Sequence, residues 1–166
     1  MHEIIINTSL SRAEKYAEVL PQIQAVIEGE TDLIANLANI SAILKSSFGF
    51  FWIGFYLMKK NEAGAAELVL GPFQGPLACT RIAINKGVCG AAARQQKTIV
   101  VPDVEQFEGH IACSSASRSE IVVPLIHEGK TQMVLDIDSV DLNTFSEIDA
   151  QYLEQLMDII KAQHFD

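Results

Sequence analysis

Apolar residues recur at helical spacing at both ends of the chain and at strand spacing between them. We predict a first helix over residues 11–27, with Ser11 as its N-cap and Pro21 as a point where it could kink or divide. A second helix is predicted to start near Thr31, and a last one near Ser146, where Ser146 and Asp149 form a capping pattern. The stripes expected to face the core are Ile34, Leu37, Ala38, Ser41 and Leu44 in the second helix and Ile148, Tyr152, Leu153, Leu156 and Ile160 in the last.

The middle of the chain has the composition of short strands separated by glycine and proline turns. Strands are predicted over residues 50–58, 67–73, 80–84, 98–101, 119–126 and 130–138, the last two joined as a hairpin across Glu128 and Gly129. A short helix is expected over 87–96 and an irregular stretch over 102–118. This order predicts one α+β domain over residues 1–166, in which a mostly antiparallel sheet carries the terminal helices on one face. The other face is then free to carry a site under the 102–118 loop.

Charge and hydropathy exclude several classes of function. The chain has 12 Lys and Arg against 21 Asp and Glu, a net charge of −9, which argues against nucleic acid and anionic membranes as partners. It has no apolar run long enough for a transmembrane helix and no secretory pattern in its first ten residues. We therefore expect a cytoplasmic protein, whose three cysteines, Cys79, Cys89 and Cys113, rest as thiols.

Aromatic residues in the first predicted strand are candidates for a ligand wall. Strict alternation places Phe51, Ile53, Phe55 and Leu57 on one face and Phe50, Trp52, Gly54 and Tyr56 on the other. Gly54 would then leave a gap between the rings of Trp52 and Tyr56, which suits a small ligand with an apolar end and a cation. Alternatively, another element packs over Gly54.

Two aspartates in the last predicted strand share a face. Alternation places Asp136 and Asp138 together, with Leu135 and Ile137 on the opposite side, and the neighbouring strand begins with Glu120. Such a pattern is often a solvated strand face. Three carboxylates beside one pocket would instead suit an ammonium group or another cation, and one of them could donate a proton if its neighbours raise its pKa.

The cysteines offer two candidate nucleophiles. Cys89 lies near a predicted helix N-terminus, and Cys113 lies between His110 and Arg118; both surroundings favour a thiolate. Buried, inert cysteines are the alternative for each position.

Zinc is a further alternative, with Cys79, Cys89, Cys113 and His110 as its ligands. The sequence contains no closely spaced cysteine pair of the kind that structural zinc sites use, so we expect no metal.

Several short segments, in this order, resemble one family closely. They are TD at 31–32, FYL at 55–57, LGPFQG at 70–75, AC at 78–79, GVCG at 87–90, HIAC at 110–113, SEI at 119–121 and LDIDS at 135–139. The combination resembles the free methionine-(R)-sulfoxide reductases, which are single GAF domains, over residues 31–160.

The resemblance implies a GAF fold, with an antiparallel sheet of about six strands and helices on one side. It implies that Cys113 attacks the sulfoxide, that Cys79 resolves the intermediate and that Cys89 has a secondary or alternative role. The residues that match the substrate pocket are Trp52, Tyr56, Glu120, Asp136 and Asp138. The helix position ranks Cys89 at least equal to Cys113, whereas the family ranks Cys113 first, and we follow the family.

One position departs from the family pattern. Met133 stands where the family usually has glycine. Alternation directs Met133 away from the face of Asp136, so we expect it to affect the core rather than the pocket.

The family chemistry predicts a defined reaction. A Cys113 thiolate attacks the sulfur of free methionine-(R)-sulfoxide while Glu120 or Asp136 protonates its oxygen, and the resulting sulfenic acid condenses with Cys79 to a disulfide. Thioredoxin, supplied with electrons by NADPH and thioredoxin reductase, then reopens the disulfide, with no bound cofactor.

The sequence leaves open the oligomeric state of the protein and the choice between an enzyme and a sensor. The family often forms homodimers, and no stripe in the sequence demands one. The main rival function is a non-catalytic GAF domain that senses a small ligand, although sensors of this kind are usually joined to an output domain.

Overall fold

A six-stranded antiparallel sheet forms the centre of the protein. The computed structural model describes residues 4, 7, 9–111 and 113–166. Its helices are α1 (Arg12–Ile27), α2 (Leu33–Phe48), α3 (Gly87–Gln95) and α4 (Glu147–His164). Its strands are β1 (Trp52–Lys60), β2 (Ala66–Gln74), β3 (Arg81–Ala83), β4 (Ile99–Val101), β5 (Ser119–His127) and β6 (Lys130–Ser139), in the spatial order β3-β2-β1-β6-β5-β4. The predicted α+β class is confirmed.

Side-chain caps fix the starts of the three long helices. Ser11 caps α1 in a reciprocal capping box with Glu14. Asp32 caps α2, where its side chain accepts a hydrogen bond from the backbone N–H of Ala35. Ser146 and Asp149 form a second capping box at the start of α4, as predicted. Pro21 lies within α1, which runs as one helix through it.

The buried faces of α2 and α4 differ in part from the predicted stripes. Ile34 and Ala38 of α2 are exposed, while Asn36 and Ile40 are buried in their place. In α4, Ile148 is largely exposed and Asp149 is fully buried. The predicted stripes were wrong at these positions. The buried face of a helix is the one that packs against the neighbouring elements, and the spacing of apolar residues predicts it only approximately.

Alternation along β1 begins two residues later than predicted. Because the strand starts at Trp52, Phe50 packs with Ile53 and Phe55 in the helix-side core, and Phe51 packs on the opposite side with Trp52. The predicted faces were therefore wrong for Phe50 and Phe51 and correct from Trp52 onward.

The two faces of the sheet carry different layers. α1, α2 and α4 cover one face and enclose the larger apolar core, which includes Leu135 and Ile137. Met133 lies in this same core, on the side away from Asp136, as predicted. The opposite face is covered by α3 and by the irregular segment 102–118, which contains one short 3-10 turn, Val104–Gln106. That face holds the polar groups described next.

The β5–β6 hairpin sets the register of the central strands. Glu128 and Gly129 both have positive φ, at 49° and 72°, which suits a tight two-residue hairpin turn. The hairpin places Glu120 directly opposite Asp138, and β1 lies on the other side of β6. Within the described part of the chain, no helix has both the length and the hydropathy needed to cross a membrane.

Candidate active site

Strand register brings the three predicted carboxylates together beneath α3 and the 102–118 segment. Asp138 lies between Glu120 on β5 and Trp52 on β1, and Asp136 lies two residues further along the same face, opposite Gly54. Glu120 and Asp136 are buried, and Asp138 is partly buried. The alternative of a solvated strand face is therefore wrong.

Burial and mutual repulsion keep protons on these carboxyls. Desolvation, followed by the charge of Asp138, raises the pKa of Glu120 well above its ordinary value. Desolvation and the charge of Glu120 raise the pKa of Asp136, and desolvation and the charge of Asp136 raise that of Asp138. Because the three groups cannot all ionise together cheaply, at least one of them holds a proton that it can donate.

The predicted gap at Gly54 is filled by Trp52 itself. A Cβ atom at Gly54 would lie 2.4 Å from the Cβ atom of Phe73 and 2.5 Å from a ring carbon of Trp52. The Trp52 ring stacks on Phe73 at 5.5 Å and on Tyr56 at 6.0 Å between centroids. The second of the two interpretations is thus correct: packing accounts for the glycine. Trp52 and Tyr56 still form one wall of the pocket.

The same two aromatic residues hold the loop that carries Cys79. Trp52 donates from its indole nitrogen to the carbonyl oxygen of Pro76 at 3.1 Å, and Tyr56 donates from its hydroxyl to the carbonyl oxygen of Cys79 at 2.9 Å. Gly75 makes this close approach possible, because its φ is 142° and a Cβ atom there would lie 2.6 Å from the Trp52 ring. The loop is therefore fixed against β1 by polar contacts at both ends.

Cys79 and Cys113 are joined by a disulfide. Their Cα atoms lie 5.6 Å apart and 34 positions apart in sequence. Cys113 is exposed, and Cys79 is partly buried. The expectation of three free thiols holds in this structure for Cys89 alone, and the four-ligand zinc set is wrong because it needs the two bonded sulfurs.

Cys89 lies in α3, lines the pocket and is buried. Desolvation, then the charges of Asp136 and Glu120, raise the pKa of its thiol well above the ordinary value. Burial thus outweighs the helix dipole that favoured a thiolate here. The sulfur of Cys89 lies within 4.8 Å of an oxygen of Asp136.

A pocket opens above the carboxylates. Its lining includes Cys113, Cys89, Trp52, Tyr56, Glu120, Asp136 and Asp138, together with Leu77, Ala78, Ile82, Gly87, Val88, His110, Ile111, Ser114 and Ser117. Seven of the eight predicted site residues are thus brought together at one cavity, and Cys79 reaches it through the disulfide.

Three polar lining residues were not predicted as part of the pocket: His110, Ser114 and Ser117. Ser117 lowers the pKa of Asp138 by less than burial raises it, and His110 lies with its Nε2 atom 3.6 Å from an oxygen of Glu120. All three belong to the irregular segment, where no periodic pattern indicates which side chains turn inward.

The deepest part of the pocket suits a positively charged group. The donor atoms of Cys89, Glu120 and Asp136 lie within 4.8 Å of one another, and they form the one such trio among the residues that the structure describes. The Oδ1 atom of Asp136 is buried without a hydrogen-bond partner among these residues. An ammonium group would satisfy this oxygen and offset the repulsion between the carboxylates.

The fold and the pocket are those of a GAF domain. The protein-family model described as GAF domain matches residues 30–162, nearly the whole chain. Among curated proteins, the chain is 55% identical over 150 residues to GAF domain-containing protein A of Dictyostelium discoideum, covering 90% of this chain and 92% of that protein.

Further similarities are more specific. The chain is 43% identical over 149 residues to the free methionine-R-sulfoxide reductase of Escherichia coli, covering 89% of this chain and 87% of that one. The crystal structure of the free methionine-R-sulfoxide reductase of Neisseria meningitidis in complex with its substrate superposes with a TM-score of 0.93 at 53% identity, covering 98% of this chain and 95% of that one. The chain belongs to the free methionine-R-sulfoxide reductases of the GAF-domain family.

Proposed function

We propose that this protein reduces free methionine-(R)-sulfoxide to methionine with its cysteine thiols. The observation that carries the proposal is the Cys79–Cys113 disulfide at the mouth of a pocket whose floor is a cluster of buried carboxyls. A disulfide is the product that a two-cysteine reductase leaves after one turnover. The substrate class is that in the names of its relatives in Escherichia coli and Neisseria meningitidis.

The carboxyls account for the choice of a free amino acid. A free methionine sulfoxide carries an α-ammonium group, which Asp136 and Asp138 bind as a counter-charge in the closed pocket. A sulfoxide within a peptide has no such group and would leave the buried charges unpaired. That loss costs several kcal/mol and discriminates strongly against peptides. Trp52 and Tyr56 supply the apolar wall for the methyl thioether end.

The first chemical step forms a bond from Cys113 to the substrate sulfur. The reduced Cys113 thiolate attacks the sulfoxide sulfur, and a carboxylic acid of the pocket gives its proton to the sulfoxide oxygen. The new S–S bond and the substrate S–O bond then break as the protonated oxygen moves to the sulfur of Cys113, which becomes a sulfenic acid, and methionine leaves with the electron pair. The exposure of Cys113 and its place in the pocket lining support its role as the attacking sulfur, because a small molecule entering the pocket can reach it.

The second step forms the disulfide. The Cys79 thiolate attacks the Cys113 sulfur, the S–O bond breaks, and the departing hydroxide takes a proton and leaves as water. The hydrogen bond from Tyr56 to the Cys79 backbone supports this role, because it fixes the loop within reach of Cys113.

Glu120 is the proposed acid while Asp136 is ionised as the counter-charge to the ammonium group, and Asp136 is the alternative acid. Both are buried, and the pKa of each is raised by desolvation first and by a neighbouring carboxylate second. A carboxyl whose pKa is raised in this way holds a proton that it can donate as a general acid. Cys89 has a secondary role in this scheme: its buried thiol lies beside the carboxyls of Glu120 and Asp136.

The oxidised protein needs an external dithiol to complete its cycle. We propose thioredoxin, with NADPH and thioredoxin reductase, since the cytosolic setting expected from the sequence supplies that system. No bound cofactor takes part in the scheme. The homodimer suggested by the family stays a prediction.

The deciding experiment offers purified protein the separated R and S epimers of free methionine sulfoxide. NADPH consumption is followed with thioredoxin and thioredoxin reductase present, and the assay is repeated with dithiothreitol to exclude a mismatched thioredoxin. Turnover of the free R epimer, without turnover of the S epimer or of a peptide-bound sulfoxide, is expected. Tight binding of a small ligand with no turnover in either assay would instead support a sensor GAF domain.

A further inference from the structure

His110 connects the loop of the proposed nucleophile to the buried acid cluster. It lies three positions before Cys113, in the segment that closes the pocket. Its Nε2 atom lies 3.6 Å from Oε2 of Glu120, and the two side chains are 15% and 7% exposed. The separation is about half an ångström longer than a direct hydrogen bond, and catalytic contacts of this kind often shorten when substrate fills the site.

The chemistry under "Proposed function", on which this inference rests, needs two protons in the pocket. One goes to the sulfoxide oxygen when Cys113 attacks, and one goes to the hydroxide that leaves when Cys79 attacks. The two thiols release two protons to solvent on forming their thiolates, so the oxidative half-reaction balances as two thiols plus sulfoxide giving disulfide, methionine and water. If Glu120 serves both steps, it must regain a proton between them.

The surroundings of Glu120 leave few routes for that proton. Asp136 and Cys89 are buried with it, and Asp138 is a carboxyl that competes for the same protons. His110 is the neighbour that combines a partly exposed side chain with ring nitrogens that can both accept and donate a proton.

We propose that His110 is a proton relay that recharges Glu120 between the two chemical steps. The His110 imidazolium gives its Nε2 proton to the Glu120 carboxylate, and the neutral ring then takes a proton from water. His110 acts through Glu120 and does not bond to the substrate. The relay therefore affects the second step and leaves the first methionine release unchanged.

The test follows the two steps separately in pre-reduced protein mixed with the R sulfoxide. Methionine release and loss of free thiols are both measured by rapid quench, the latter after alkylation. In His110→Ala, the first methionine is expected at the wild-type rate and disulfide formation about 100-fold slower. His110→Asn, whose amide can donate to Glu120 but cannot relay a proton, should behave in the same way. Free imidazole should restore disulfide formation in His110→Ala and have no effect on the wild type.

His127 provides a matched control. It lies on β5, the strand of Glu120, and its Nδ1 atom is 3.6 Å from an oxygen of Asp166, a histidine–carboxylate pair of the same separation. His127→Ala should leave both rates within twofold of wild type.

Three results would overturn the relay. Wild-type rates in His110→Asn would show that a hydrogen bond to Glu120 is enough for disulfide formation and that no proton is relayed. An equal fall in both steps, without rescue by imidazole, would show that His110 only positions the loop. Unchanged rates in His110→Ala and His110→Asn would show that His110 has no role in either step. A wild-type protein that reduces neither epimer would instead overturn the proposed function, and with it the relay.

Discussion

The hydroxyl of Tyr56 donates a hydrogen bond of 2.9 Å to the carbonyl oxygen of Cys79. Together with the 3.1 Å contact from Trp52 to Pro76, it fixes the loop of the proposed resolving cysteine to strand β1. The pocket wall and the position of the resolving sulfur therefore depend on the same two aromatic side chains. Neither ring can be treated as a binding surface alone.

Removal of the Tyr56 hydroxyl should separate these two roles. Tyr56→Phe keeps the ring against Trp52 and loses the contact with Cys79. Since one such hydrogen bond contributes about 1 kcal/mol, we expect disulfide formation to slow about fivefold while the first methionine release is unchanged. Rapid-quench alkylation measures the rate of disulfide formation, and amino-acid analysis measures the release of methionine. Tyr152→Phe in α4 is the control, and equal slowing in both variants would contradict the prediction.

The roles of the two bonded cysteines can be separated in a single turnover. Cys113→Ser should release no methionine from the R sulfoxide, because the attacking sulfur is gone. Cys79→Ser should release about one methionine per protein and then stop, because its sulfenic acid cannot be resolved. Mass spectrometry of the quenched protein checks the added oxygen. A full first turnover in Cys113→Ser would exclude this nucleophile and make Cys89 the candidate.

Neutralising the proposed ammonium site should weaken substrate binding. Asp136→Asn and Asp138→Asn each remove a carboxylate from the pocket floor, and KM for the free R sulfoxide is expected to rise roughly 10- to 100-fold, since a charge-assisted contact contributes about 1.5–3 kcal/mol. Alkylation of Cys113 in the reduced variants should stay at the wild-type rate. Asp141→Asn, at an exposed position just after β6, is the matched control. Wild-type kinetics in both pocket variants would exclude this role.

The buried Glu120 should make the protein less stable at high pH. Its pKa is raised in the folded state, by burial first and the Asp138 charge second, and is ordinary in the unfolded chain. Between these two values the folded state binds more protons, so the free energy of unfolding falls as the pH rises through that range. Glu120→Gln cannot ionise, and we expect a Tm above that of the oxidised wild type at pH 8, by about 2–4 °C for each kcal/mol of charge burial removed.

The difference in Tm between Glu120→Gln and wild type should narrow as the pH falls, because the wild-type carboxyl then gains its proton and buries no charge. Scanning calorimetry at a series of pH values measures this difference. Glu108→Gln, at an exposed position in the segment over the pocket, should match wild type at every pH. A difference in Tm between Glu120→Gln and wild type that stays constant with pH would exclude ionisation of Glu120 as the cause of the higher stability.

A further buried carboxylate, far from the pocket, supports the fold. Asp149 is fully buried and accepts hydrogen bonds from Arg12 at 2.6 Å and Tyr16 at 2.8 Å, which ties α4 to α1. Asp149→Ala should lower the free energy of unfolding by about 3 kcal/mol, because Arg12 and Tyr16 lose their partner and α4 loses its capping box. Urea unfolding measures this change. Glu147→Ala, exposed in the same helical turn, should change it by less than about 0.5 kcal/mol.

Local periodicity predicted much of this architecture. The strands, the α+β class and the shared face of Asp136 and Asp138 follow from alternation, which backbone geometry enforces within a strand. The starts of α1 and α4 follow from capping residues. The family resemblance added the pairing of Cys79 with Cys113, which the spacing of three cysteines leaves open.

Contacts between distant segments could not be predicted in this way. The sequence marks Asp149 as a capping residue, and only the packing of α1 against α4 shows that it also pairs with Arg12. The helix position of Cys89 indicates a thiolate, whereas burial beside Asp136 raises the pKa of the thiol. His110 lies in a segment without periodicity, so its approach to Glu120 depends on tertiary structure alone.

The disulfide encloses the chain from Cys79 to Cys113, a ring that contains β3, α3 and β4 and therefore much of the pocket wall. Closing a loop of this length lowers the entropy of the unfolded chain enough to stabilise the fold by about 4 kcal/mol on the chain-entropy model. Each oxidation thus raises the free energy of unfolding, and each reduction lowers it. The oxidised and reduced proteins should therefore unfold at different temperatures, so thermal unfolding followed without any substrate should report directly how much of a sample is oxidised.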